Sequence, residues 1–186
     1  MILTKAVKLK KVSVYILKNV KNIAWIRKVK YRCVMVKYVE SKVVFEEIPD
    51  KVTLAVTISN CPFSCNGCHS DYLQTDCGEV LTNETIDKLI EDNKGINCFL
   101  FLGDGNNINE LCHLSSHIKE KYSNISTAVY SGYPDKLLEY MAVFDYIKTG
   151  GYIESCGDLT NPNTNQRLYK WNGETFEDVT KLFWKR

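Results

Sequence analysis

Three cysteines stand within eight residues, Cys61-Pro-Phe-Ser-Cys65-Asn-Gly-Cys68, with His69 next to the last of them. Thiolates are soft anionic ligands, and three on one loop suit either iron–sulfur chemistry or zinc. Iron–sulfur clusters normally take four thiolates, so three would leave one iron of a cubane free to bind something else. An open position marks a catalytic rather than a structural centre. The competing reading is zinc, with His69 or Cys77 as the fourth ligand. Structural zinc sites usually pair two short knuckles such as C-x2-C, and no second knuckle appears in this chain, so the spacing favours the cluster.

Such a loop has to be held by regular elements, and the pattern becomes regular from Thr53. Thr53-Leu-Ala-Val-Thr-Ile-Ser59 is a short apolar, β-branched strand that runs directly into the cysteines. Thr82 caps a helix with Ile86, Leu89 and Ile90 on one face, and Gly95 stops it. Cys98-Phe-Leu-Phe-Leu102 reads as a buried strand ending at Gly103-Asp104-Gly105. A second helix carries Ile108, Leu111, Cys112, Leu114, Ser115 and Ile118, and the strand Ser126–Tyr130 stops at Ser131-Gly132. Pro134 opens a short third helix with Leu137, Leu138 and Met141, followed by Phe144–Lys148 and Thr149-Gly150-Gly151. Alternation of this kind predicts right-handed crossovers and a parallel sheet, with the loops after the strands gathered on one rim where ligands bind. After a loop from Ile153 to Thr164, Gln166–Trp171 and Glu174–Val179, separated by Asn172-Gly173, predict a β-hairpin.

Composition sets the context. A chain of 186 residues with 45% hydrophobic content is read as one globular domain. No apolar run approaches the roughly 18 residues of a membrane span, and no secretory signal is apparent, which implies a cytoplasmic protein. Eight cysteines in a reducing compartment point to metal binding or catalysis rather than disulfides. Ten of the 24 basic residues and none of the 22 acidic ones fall in residues 1–34, which leaves the remainder at a net −8. Residues 1–34 are therefore set apart as a basic N-terminal extension, read as an appendage ahead of a binding arm, and 35–186 as the functional domain.

The motif Cys61-x3-Cys65-x2-Cys68, on a loop between a strand and the next strand's glycine turn, resembles the radical S-adenosylmethionine superfamily. Glu47-Ile-Pro-Asp50, Cys65–Ser70, Phe101–Gly105, Tyr130-Ser-Gly132 and Thr164-Asn-Gln-Arg-Leu-Tyr169 resemble, within it, the activating proteins of anaerobic ribonucleoside-triphosphate reductases. The resemblance runs from about Met35 to Trp171. It implies a partial (β/α) barrel with an open rim and a C-terminal β-hairpin. It also implies that Cys61, Cys65 and Cys68 hold a [4Fe-4S] cluster whose free iron chelates S-adenosylmethionine. Gly67, Gly103, Asp104, Gly105, Ser131 and Gly132 would contact that cofactor, with Asp104 standing where relatives carry a glycine. Asn165, Gln166 and Arg167 would orient the partner's glycine loop or start the terminal hairpin.

The function so implied is reductive cleavage of S-adenosylmethionine, with an electron from a donor such as a flavodoxin. The resulting 5′-deoxyadenosyl radical would abstract hydrogen from a glycine of the partner reductase. Activation of another glycyl-radical enzyme and small-molecule radical chemistry are the nearer alternatives. A zinc-bearing nucleic-acid-binding module is the alternative of another class, although no nucleic-acid or membrane partner is expected. Other residues read as structural. His113 and His117 lie opposite the apolar helix face, Cys98 and Cys112 read as small buried thiols, and Phe183 and Trp184 pack on the domain.

Overall fold

The computed structural model describes residues 35–133 and 139–185. The basic extension 1–34 and the start of the expected third helix, with Pro134, Leu137 and Leu138, lie outside the described residues. Strand β1 (Lys37–Val44) is antiparallel to β2 (Thr53–Ile58), and β3 (Glu79–Val80) adds a short edge beyond β1. Helix α1 (Asn83–Asp92) leads to β4 (Cys98–Leu102), and helix α2 (Ile108–Lys121) to β5 (Ser126–Tyr130). A 3-10 turn at Glu139–Val143 precedes β6 (Tyr146–Thr149), and β7 (Arg167–Trp171) with β8 (Phe176–Asp178) closes the order. All eight form one mixed sheet, β3-β1-β2-β4-β5-β6-β7-β8. Within it β2, β4, β5 and β6 are parallel, as the alternation required.

Helix α1 begins where its cap dictates, because Thr82 Oγ1 accepts the Thr85 N–H at 3.2 Å. Helix α2 uses Asn107 in the same way, accepting the Glu110 N–H at 3.3 Å. Met141 belongs to a 3-10 turn rather than to an α-helix among the described residues. The hairpin is present, but its tip is Gly173-Glu174, one residue later than expected. The Asn172 side chain accepts both the Glu174 and the Thr175 N–H at 2.9 Å, so Asn172 closes the turn from below, and Gly173 (φ +102°) supplies its positive φ.

Period-two alternation gives the sheet two different faces. One face carries Leu54, Val56 and Ile58 of β2, Phe99 and Phe101 of β4, Val129 of β5 and Ile147 of β6. Both helices cover it, through Ile86 and Ile90 of α1 and Leu111, Leu114 and Ile118 of α2. Phe101 lies edge-on to Phe144 with ring centroids 6.1 Å apart. The opposite face carries Ala55, Cys98, Leu100, Ala128, Tyr146 and Leu168 under Ile48, Leu159 and Phe183. Small residues here let irregular segments approach, and Trp184 Nε1 anchors the C-terminal turn on the Leu159 carbonyl at 3.1 Å. No helix among the described residues is long and apolar enough to cross a membrane.

Candidate metal centre

The parallel strands place their C-terminal ends together, so four loops meet on one rim. The first leaves β2 at Ile58 and returns at β3, and its base is stapled shut. Ser59 N–H donates to Lys37 O at 3.1 Å and Ser59 Oγ to Cys77 O at 2.6 Å. Asn60 and Cys61 N–H donate to Thr75 O and Leu73 O at 3.1 and 2.8 Å. The bonds to Cys77, Thr75 and Leu73 join the outgoing and returning limbs and that to Lys37 ties the loop to β1, so the cysteines stand on a closed loop anchored by buried Leu73. At its tip the Cys68 N–H donates to Cys65 O at 3.2 Å, and Gly67 between them takes φ +74°, a conformation suited to glycine. The second turn thus holds Cys65 and Cys68 close, and Ser70 N–H points at Cys68 Sγ at 3.4 Å.

The other loops pack against this one. An added Cβ at Gly132 would lie 2.5 Å from the Phe63 ring, and at Gly105 2.6 Å from Ile58 Cγ2. At Gly151 it would lie 3.1 Å from Cys65 Sγ. Phe63 also meets Tyr133 edge-on at 4.8 Å, and His69 meets Tyr152 at 5.9 Å. Gly132 and Gly151 are therefore where two rim loops touch the cysteine loop, while Gly103 and Gly105 lie against the end of β2 at Ile58 and Ser59.

Asp104 is turned inward and only 3% exposed. Its Oδ2 accepts the Ser131 hydroxyl at 2.7 Å and its Oδ1 the Asn106 N–H at 3.3 Å. Burial pushes its carboxyl above the ordinary range, against the two hydrogen bonds that favour the anion. Burial also raises the Cys61 thiol, and the charges of Asp104, Cys65 and Cys68 push it the same way. Burial drives Cys98 and Cys112 up to about 12, which marks them as inert core thiols.

Among the described residues no group of three or more His, Cys, Asp and Glu side chains is gathered to hold a metal ion. A mononuclear ion needs its ligands to converge on one point, whereas a cubane takes each thiolate on a different iron. Three soft donors on one closed loop, Cys61 at its base and Cys65 and Cys68 at its tip, fit the second demand. Binding to iron would also deprotonate Cys61, whose thiol is raised in the bare protein.

Two features escaped the sequence reading. Lys148, the only charged residue of β6, points to the face away from the helices. Its Nζ donates to Gly150 O at 2.9 Å and lies 5.5 Å from the Tyr130 ring centroid, and burial lowers it to about 8. A lysine next to Tyr146 and Ile147 in a strand of the parallel core was the available signal. Second, Asn165 and Gln166 hold this chain's own rim, on Gly151 O at 2.9 Å and Gly150 O at 3.4 Å, and Arg167 Nη1 bonds Thr164 O and Gln166 O at 2.5 and 2.7 Å. His117 proves to be less a solvated residue than a bridge between helices, with Nε2 2.9 Å from Asp87 Oδ1, while His113 stays exposed.

The profile of the 4Fe-4S single cluster domain family matches residues 51–168, from just before β2 into β7. Comparison with curated proteins and with solved structures gave no match.

Proposed function

Because the chain belongs to the 4Fe-4S single cluster domain family, we propose that Cys61, Cys65 and Cys68 hold its cluster and that the protein is a radical S-adenosylmethionine enzyme. We assign it the activation of an anaerobic ribonucleoside-triphosphate reductase. The carrying observation is the three-cysteine loop at the C-terminal end of the first parallel strand, with the Gly103–Gly105, Ser131-Gly132 and Gly150-Gly151 loops packed around it. When bound, the cluster would pass one electron from an external donor to S-adenosylmethionine, splitting its carbon–sulfur bond into methionine and a 5′-deoxyadenosyl radical that would take hydrogen from a glycine Cα of the partner.

The chain's own residues have three tasks in this reading. The stapled loop carries Cys61, Cys65 and Cys68 in the C-x3-C-x2-C spacing, and three thiolates on a cubane would leave a position for the amino and carboxylate groups of the cofactor. The glycine loops let backbone approach that ligand closely, and Ser131 keeps the Asp104 carboxyl in one orientation beside it. Leu102, Ile58 and Tyr130 at the strand ends exclude water, which would otherwise quench a radical. On this reading the mixed sheet is the arc of a partial barrel with an open rim. An open rim suits a glycine carried in on a loop of another protein, since small substrates need added elements to enclose them.

The test is electron paramagnetic resonance on the anaerobic mixture of the protein, the host's reductase, S-adenosylmethionine and a flavodoxin or chemical reductant. A glycyl-radical doublet is expected. A doublet only with a different glycyl-radical enzyme would overturn the partner assignment, and iron-free protein with bound zinc would overturn the whole reading.

A further inference from the structure

We infer that Asn165 and Gln166 are positioning residues for the Cys65 sulfur, acting through the backbone of Gly150 and Gly151. The inference rests on the reading of Cys65 as a cluster ligand. Three layers stand in a row at this corner of the rim. On the outside is the chain leading into β7, where Thr149 pairs with Arg167. In the middle is Gly150-Gly151, and on the inside is Cys65.

Each layer touches the next without a side chain to cushion it. A Cβ at Gly150 would lie 3.1 Å from Asn165 O and 3.3 Å from Gln166 Cα, so backbone meets backbone there, and its φ of +89° suits glycine. A Cβ at Gly151 would lie 3.1 Å from Cys65 Sγ. Two glycines have no side chains of their own to fix them, and their place is set by hydrogen bonds. Asn165 Nδ2 donates to Gly151 O at 2.9 Å, Gln166 Nε2 and Lys148 Nζ to Gly150 O at 3.4 and 2.9 Å, and Gly150 N–H donates to Tyr133 O at 2.8 Å. The shorter of the two amide bonds goes to the glycine that meets the sulfur, so Asn165 is the principal residue.

A second observation points the same way. Asn165 Oδ1 is buried and has no hydrogen-bond partner among the described residues. Buried acceptors are rarely left unpaired, since the loss of solvation is uncompensated. The side chain accepts that cost in an orientation that sends its N–H to Gly151. Groups one step behind a ligand fix its orientation and tune the metal, and cluster potentials respond to the surroundings of the sulfurs.

The experiment compares anaerobically reconstituted full-length wild type, Asn165→Ala, Gly151→Ala and the double variant. Iron and sulfide content, the reductive midpoint potential and the paramagnetic spectrum of the reduced cluster are read for each. Asn165→Ala is expected to keep its cluster while shifting both the spectrum and the midpoint. Gly151→Ala is expected to shift them further, and the double variant no more than Gly151→Ala alone. A wild-type spectrum and potential in Asn165→Ala would overturn the inference, as would full additivity in the double variant. Should Asn165→Ala not fold, Asn165→Asp, which keeps the shape and loses the donor, is read in its place with the same two outcomes. Cys65→Ala reports separately on the underlying reading: full iron in that variant would remove Cys65 from the ligand set whatever Asn165 does.

Discussion

Ser131→Ala tests the electrostatics of the rim without touching a cysteine. The substitution deletes an O–H···O bond of 2.7 Å between residues that are 4% and 3% exposed, and with it the bond of 3.1 Å that Ser131 Oγ accepts from the Tyr133 N–H. A hydrogen bond to a charged group contributes roughly 1.5–3 kcal/mol, and after the deletion Asp104 is left with backbone donors such as the Asn106 N–H at 3.3 Å. The Asp104 bond's share of the loss is about 2 kcal/mol at neutral pH, which at roughly 2–4 °C per kcal/mol for a chain of this size lowers the Tm by about 6 °C. The loss depends on pH with a definite sign. Asp104 is raised above its ordinary 3.8, so the stability it contributes is full at acid pH and declines as pH rises through the folded-state value. Ser131 limits that decline by favouring the anion. With the carboxyl protonated the bond joins neutral groups and contributes about 1 kcal/mol, so wild type and variant converge toward acid. Urea unfolding of the cluster-free protein under reducing conditions, at a series of pH values, measures the gap. A gap that is constant, or that widens toward acid, would refute the assignment of Asp104 as a raised, Ser131-supported carboxyl.

Asp87 is expected to behave with the opposite sign. Burial works to raise its carboxyl, but bonds from Lys121, His117 and Tyr122 hold it below the ordinary value. The cost of Asp87→Ala, read by the same unfolding series, therefore shrinks as pH falls through the folded-state value. Gly105→Ala must place a side chain at φ +56° and 2.6 Å from Ile58 Cγ2. Left-handed strain of roughly 1–2 kcal/mol and crowding of about 1–3 kcal/mol give a total near 3 kcal/mol, seen as a lowered urea midpoint. Lys148 is expected to titrate near 8, not 10.5, in an NMR shift titration of its ε-methylene, and an ordinary midpoint would mean that the site is wetter than its packing implies.

The parallel core was legible because its signals are local and agree. Thr53–Ile58, Cys98–Leu102 and Ser126–Tyr130 are short apolar runs between caps and glycines, and every residue of β2 is buried, as an interior parallel strand requires. Strands β1 and β3 were not legible, for the converse reason. β1 lies toward the sheet edge with Glu40, Ser41 and Lys42 exposed, so its sequence lacks a continuous apolar face, and β3 is two exposed residues whose pairing depends on the distant Lys37 and Tyr38. The cysteine loop announced itself by spacing alone. The roles of Asn165 and Gln166 did not, because their partners are backbone carbonyls of glycines about 15 positions away, brought near only by the antiparallel pairing of β6 and β7.

The most direct test of the central claim is cofactor cleavage by the protein alone. Anaerobically reconstituted protein is reduced in the presence of S-adenosylmethionine, and methionine and 5′-deoxyadenosine are quantified by chromatography and mass spectrometry. The account predicts that both products form together in wild type and in Cys98→Ala, whose thiol lies in the core, and that both vanish in Cys61→Ala, Cys65→Ala and Cys68→Ala. Wild-type protein carrying a full complement of iron and sulfide yet yielding neither product would contradict it.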